Sequence, residues 1–159
     1  MGLDFYLISG IREETMGLDM FLYARRFVWH NEEELEAQLR QAIGPSPGKV
    51  KVVVCEAAYW RKANQIHKWF VDHVQKGKDD CGTYYVEHKQ LADLLQVCQD
   101  VLAEPATAKA KLPTQQGFFF GRVAYDNDYR QDLELTVKQL TPLLAEEWKG
   151  WEFEYHASW

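Results

Sequence analysis

The run VKVVVCEA at residues 50–57 constrains the fold more than any other stretch of this chain. Its β-branched residues are nearly continuous rather than alternating, the pattern of a strand covered on both faces. Such a strand needs packed layers around it, and the flanking sequence supplies them. Residues 18–29 are rich in aromatic and apolar side chains and read as a second long strand. Asn31, with Glu34 three residues on, has the form of a capping box opening a short helix, with Leu35, Leu39 and Ile43 as its buried stripe. GPSPGK ends that helix, because two prolines and two glycines cannot continue it.

Beyond the β-branched run, Tyr59, Ala63, Ile66, Phe70 and Val74 recur at three- and four-residue intervals, predicting a helix over residues 57–75. Trp60, Asn64, His67 and Val71 then share its flank, while Arg61, Gln65, Lys68 and Asp72 lie farther out. A polar turn leads into a short strand at Thr83–Val86, followed by a helix over 87–102 with Leu91, Leu94, Leu95, Cys98 and Leu102 inward. After a connection broken by Pro105 and Pro113, GFFFG reads as a Gly-bounded strand. A helix over 126–147 turns Tyr129, Leu133, Val137, Leu140 and Leu144 inward, and Pro142 should kink or divide it. WEFEYHASW alternates as a strand with one wet face. The expected architecture is a single α+β (or α/β) domain, a small mixed sheet packed with about four helices.

The chain also begins twice: MGLDFYL at residues 1–7 returns from Met16 as MGLDMFL, with five of seven positions identical. Residues 1–15 read as a leader whose residues 3–9 can pair as a hairpin with 18–26, and 16–159 as the globular domain.

Charge narrows the functional classes. Eighteen basic residues against 24 acidic give a net charge of −6, with local cationic concentrations only at Arg25-Arg26 and from Arg61 to Lys78. Duplex nucleic acid is excluded as a partner, because it demands many phosphate-neutralising cations on one face. A small anionic ligand is not, since the local field governs a pocket. Three cysteines form no closed disulfide set and no CxxC pair, which suits a reducing, cytosolic compartment. No apolar run approaches the ~18–20 residues of a membrane span.

Among chemical motifs, the five histidines show no HExxH and no metal-ligand spacing, and neither GxxxxGK[ST] nor GxGxxG occurs. No metal or cofactor is implied. HAS at 156–158 is half of a two-histidine phosphodiesterase pattern, and no second half exists. Cys81 lies in a polar loop for which His67 or His73 is the candidate base, but adjacent Asp79 and Asp80 disfavour its thiolate. The stronger constellation is a binding one. LPTQQGFFFG offers Thr114, Gln115 and Gln116 beside three rings, and CGTYYV offers Thr83 and Tyr84. Carboxamides pair with the edges of a base and rings stack on its face. The expectation is one cleft formed by Trp60, Asn64, His67, Thr83, Tyr84, Thr114, Gln115 and Gln116, with Arg61 or Lys68 at its mouth.

MGLDMFLYARR, YWRKANQIHKWFV, DDCGTYYV and LPTQQGFFFG, together with the closing aromatic-Ser-Trp tail, resemble small uncharacterised proteins encoded by bacteriophages and prophages. The resemblance covers residues 16–159 and carries no catalytic residue. It implies an accessory protein acting in the cytoplasm of a bacterial host. The expected function is binding, without turnover, of a small nucleotide-like ligand, as in sequestering an immune-signalling nucleotide. The alternatives are a protein-binding inhibitor of a host defence or regulatory protein and, more weakly, a small enzyme using Cys81 or His67. Homo-oligomerisation is left open.

Overall fold

A computed structural model of the chain describes residues 17–45 and 48–159. In order, the elements are β1 (Asp19–Phe27), α1 (Glu33–Ile43), β2 (Val52–Arg61), α2 (Asn64–His73), β3 (Thr83–Val86), α3 (His88–Ala103), α4 (Ala108–Lys111), α5 (Asn127–Leu143) and β4 (Glu152–Ser158). They form one α+β domain around a four-stranded sheet of order β2-β1-β4-β3. All three strand pairings are antiparallel, so the sheet is not mixed.

Period-two alternation decides which face of the sheet is core. Met20, Leu22 and Ala24 of β1, Ala58 and Trp60 of β2, and Phe153, Tyr155 and Ala157 of β4 are all buried. Ile66 and Phe70 of α2, Leu91, Leu94 and Cys98 of α3, and Leu133 and Leu140 of α5 pack on that face as one cluster. The opposite, outer face carries Asp19, Phe21, Tyr23 and Arg25 of β1, none of them fully buried. The leader, with its expected pairing of residues 3–9, lies outside the described residues.

Four expectations are corrected. First, β2 is an edge strand, not one covered on both faces, and Val54 is 53% exposed. Second, that strand runs on to Arg61, through residues expected to open the long helix. Its register with β1 extends from Phe27↔Val52 to Asp19↔Arg61, interrupted by a bulge between Leu22 and Tyr23 where Ala57 is unmatched. Lys62, at a positive φ of 58°, then turns the chain so that α2 begins only at Asn64. Third, α1 starts after Glu32 rather than at an Asn31 cap, and buries no residue. The core face of the sheet is already filled by α2, α3 and α5, so the apolar stripe of α1 stays wet and Ile43 is 64% exposed.

Fourth, GFFFG is a turn. A Cβ on Gly117 would stand 2.5 Å from the Phe120 ring, and Gly121 has a positive φ of +85°, so only glycine lets the segment fold back on itself. Phe120 enters the core while Phe118 is 92% exposed.

β3, α3, α5 and β4 follow the sequence reading closely. Asp126 caps α5 by accepting from the amides of Asp128 and Tyr129. The helix ends at Leu143, just past Pro142, with Thr136 and Leu143 buried and Val137 and Leu144 half-buried.

Candidate functional site

The first residue of α2 does most to shape the adjoining surface. Asn64 is 1% exposed, and its carboxamide nitrogen donates to the carbonyls of Phe120 (3.0 Å) and Arg122 (2.8 Å). Its oxygen accepts the Gln115 amide at 2.9 Å. Three bonds from one buried side chain thus hold the turn at residues 115–122. The Leu18 amide adds a fourth, to the Phe119 carbonyl at 3.2 Å.

One helical turn later, His67 is fully buried between the Tyr155 hydroxyl, 2.8 Å from Nδ1, and Asp79 Oδ1, 2.8 Å from Nε2. A carboxylate only accepts, so Nε2 carries the proton and Nδ1 accepts from the tyrosine. Burial lowers the pKa of His67 in spite of the attraction of Asp79, and raises that of Tyr155 far above its ordinary value, so both are neutral. The other Asp79 oxygen accepts from Gln115 Nε2 at 2.7 Å. A continuous chain, Tyr155–His67–Asp79–Gln115, therefore ties β4 to α2 and α2 to the turn.

Above this chain lies a hollow of about 230 Å³, lined by Asp79, Gln115, Gln116, Gly117, Phe118, Phe119, Phe120 and Trp159. Phe120 meets Trp159 edge-on at 6.0 Å, and Phe118 meets Phe119 edge-on at 4.6 Å. Gln116 is exposed and makes no hydrogen bond among the described residues.

Of the residues expected in one cleft, Gln115 and Gln116 line the hollow, while Asn64 and His67 are buried behind it, Asn64 bonded to Gln115 and His67 to Asp79. Thr114 braces the base of the turn through the Val123 carbonyl at 3.0 Å. The rest lie elsewhere. Trp60 is in the core, its Nε1 donating to Thr136 Oγ1 at 2.9 Å, because a strand places it on the sheet's inner face rather than on the helical flank of Asn64. Thr83 stands on the outer face, opposite His156. Tyr84, its neighbour, is on the inner side and donates to Asp80. Arg61 pairs with both oxygens of Asp19 on the outer face, and Lys68 with Asp72 along α2. Among the described residues, these side chains do not share one cleft with a cationic mouth.

Asp79, Tyr155 and Trp159 were not among the expected site residues. The signal for Tyr155 was present: its alternation with Phe153 put a hydroxyl in the core, where it needs a partner. Cys81 is exposed, but both ring nitrogens of His67 are engaged, so His67 is not placed to act as its base.

A larger groove of about 420 Å³ runs between α3, Pro105 and the start of α5, lined by Val101, Leu102, Tyr125, Tyr129, Arg130 and Leu133 among others. Several of its polar groups are committed, although Asn127 makes no side-chain hydrogen bond among the described residues. The Tyr129 hydroxyl donates to the Leu112 carbonyl, Asp126 caps α5, and Arg130 Nε pairs with Glu134. The smaller hollow is set apart by Asp79, a carboxylate held from the buried core through His67 and joined to the turn through Gln115.

Beside Asn64, Gln65 donates to Asp132 at 2.9 Å, and burial pushes Asp132 up to about 6. Between its ordinary 3.8 and about 6, the folded state binds more protons than the unfolded, so this group loses stability for the fold as pH rises through that window. Asp132→Asn should therefore gain on the wild type from pH 4 to pH 7 in urea unfolding. His67 acts in the opposite sense below about 6.5, so the two proteins are compared at each pH. Parallel stability curves would contradict the burial of Asp132.

No protein-family model, curated protein or solved structure matches this chain. Among the described residues, no helix is long and apolar enough to cross a membrane, and no three His, Cys, Asp or Glu side chains are grouped to hold a metal ion.

Proposed function

We propose that this protein binds a small nucleotide-like ligand, without turning it over, in the hollow between the 115–120 turn and Trp159. One observation carries the reading. Buried polar side chains fix a turn whose Phe118 ring and Gln116 amide face solvent while Phe120 anchors it in the core. Holding the supporting shell rigid is what a recognition site requires. A flat base stacking on phenylalanine or tryptophan, with its edge toward carboxamides, matches that lining. The likeness to small phage-encoded proteins supports a role in sequestering a host immune-signalling nucleotide in the bacterial cytoplasm.

Titration calorimetry and thermal shift against cyclic and linear nucleotides test this, because a ligand of the folded state raises the melting temperature by mass action. If no nucleotide gives heat or a shift, the reading fails. A second reading, a protein-binding inhibitor, is favoured by the 92% exposure of Phe118 at the tip of the turn. On that reading the wild-type protein captures a host protein and shows no nucleotide shift, and Phe118→Ser abolishes the capture.

Catalysis at Cys81 is not part of the proposal. Cys81→Ser is expected to leave both melting temperature and ligand-induced shift unchanged, because the thiol is exposed and His67 is committed elsewhere. Loss of the biological effect in a folded Cys81→Ser protein would put an enzyme first.

A further inference from the structure

We infer that the base taken by the hollow is guanine, recognised by Asp79 through its N1–H and N2–H donors; the inference deepens the nucleotide reading and rests on it. The starting point is the state of the carboxylate. Asp79 lines the hollow with its side chain 28% exposed, and each of its oxygens accepts one protein hydrogen bond, from His67 and from Gln115. A carboxylate has about four acceptor sites, so roughly one remains on each oxygen, side by side. Both protein partners are neutral, since burial keeps His67 unprotonated and Gln115 is an amide. The negative charge of Asp79 is thus oriented but not neutralised by them, and its remaining acceptor capacity suits a ligand with two adjacent donors.

Among the four bases only guanine offers that edge. Adenine and cytosine each set a ring-nitrogen acceptor beside their amino group, and that acceptor would face the carboxylate lone pairs. Uracil flanks one N–H with two carbonyl oxygens. Guanine presents N1–H and the N2 amino group together, and its O6 then needs a donor, which the uncommitted Gln116 amide can supply. Phe118, Phe119 and Trp159 provide apolar surface for the ring faces. No lysine or arginine is among the described lining residues, so the hollow selects the base and leaves phosphates to solvent. Its volume of about 230 Å³ agrees, being below the roughly 300–1,000 Å³ of sites that enclose whole drug-sized ligands.

Titration calorimetry of the full chain with GMP, IMP and AMP tests the assignment. IMP differs from GMP only in lacking the N2 amine. GMP should bind about 5- to 150-fold more tightly than IMP, the usual worth of a bidentate base contact, and AMP more weakly still. In Asp79→Asn the preference of GMP over IMP should collapse. Should that variant fail to fold, the GMP, IMP and AMP series on the wild-type protein decides alone. AMP or IMP binding as tightly as GMP would overturn guanine recognition and leave the nucleotide reading standing. So would an unchanged preference in a folded Asp79→Asn protein. Absence of binding by GMP and every other nucleotide would overturn both.

Discussion

Trp60→Ala is expected to lower the melting temperature by on the order of 10 °C without a selective loss of binding at the hollow. The ring is fully buried, lies 5.9 Å from Phe70, and donates to Thr136, itself fully buried. Removing a core tryptophan costs about 3–5 kcal/mol, and each kcal/mol lowers the melting temperature of a domain this size by about 2–4 °C. Trp60→Phe separates the ring from its N–H. It should cost much less, because the Thr136 hydroxyl keeps its own bond to the Asp132 carbonyl at 2.7 Å. A melting temperature within two or three degrees of the wild type for Trp60→Ala would mean that the ring is not in the core. Reduced nucleotide affinity at unchanged stability would return Trp60 to the ligand.

The second large effect is expected from Asn64→Ala. That substitution strips the Phe120 and Arg122 carbonyls and the Gln115 amide of their shared partner. Each buried backbone group left unmatched costs about 1–3 kcal/mol, reduced where the loosened turn can reach water, so a total of about 2–4 kcal/mol is expected. The distinctive sign is local. Hydrogen exchange should accelerate over residues 115–122, and nucleotide binding should weaken more than global stability does, while the sheet keeps its protection. Unchanged exchange in that segment would show that Asn64 does not hold the turn.

The elements legible in the sequence were those governed by local chemistry. β3 and β4 announce themselves by alternation, α3 by its leucine spacing, and α5 by its Asp126 cap and by Pro142. The boundary between β2 and α2 was not legible, because Ala58 and Trp60 fit a strand while Tyr59 and Ala63 fit a helix equally well. Only pairing with β1, about forty residues earlier, decides between them. The stripe of α1 tells which side of that helix is apolar, but nothing in a helical pattern says whether a partner is there to cover it. Asn64, His67, Gln115 and Gln116 stand out in the sequence because polar groups beside rings are unusual locally. Asp79 and Tyr155 were missed because their roles depend on contacts 12 and 88 residues away from His67.

The position of β4 has a consequence for synthesis. It lies between β1 and β3, pairing Asp19 with Ser158 and Tyr84 with Tyr155. As the chain is translated, β1 can zip to β2 early, yet its other edge waits for residues 152–158. At about 5–20 residues per second that interval is on the order of ten seconds. Throughout it the nascent chain exposes an unsatisfied ladder of backbone groups beside a greasy, half-covered surface, the condition that recruits chaperones or neighbouring ribosomes' products. A ribosome stalled before residue 152 would therefore hold a hairpin with one sticky margin and a β3 segment that has no strand to join.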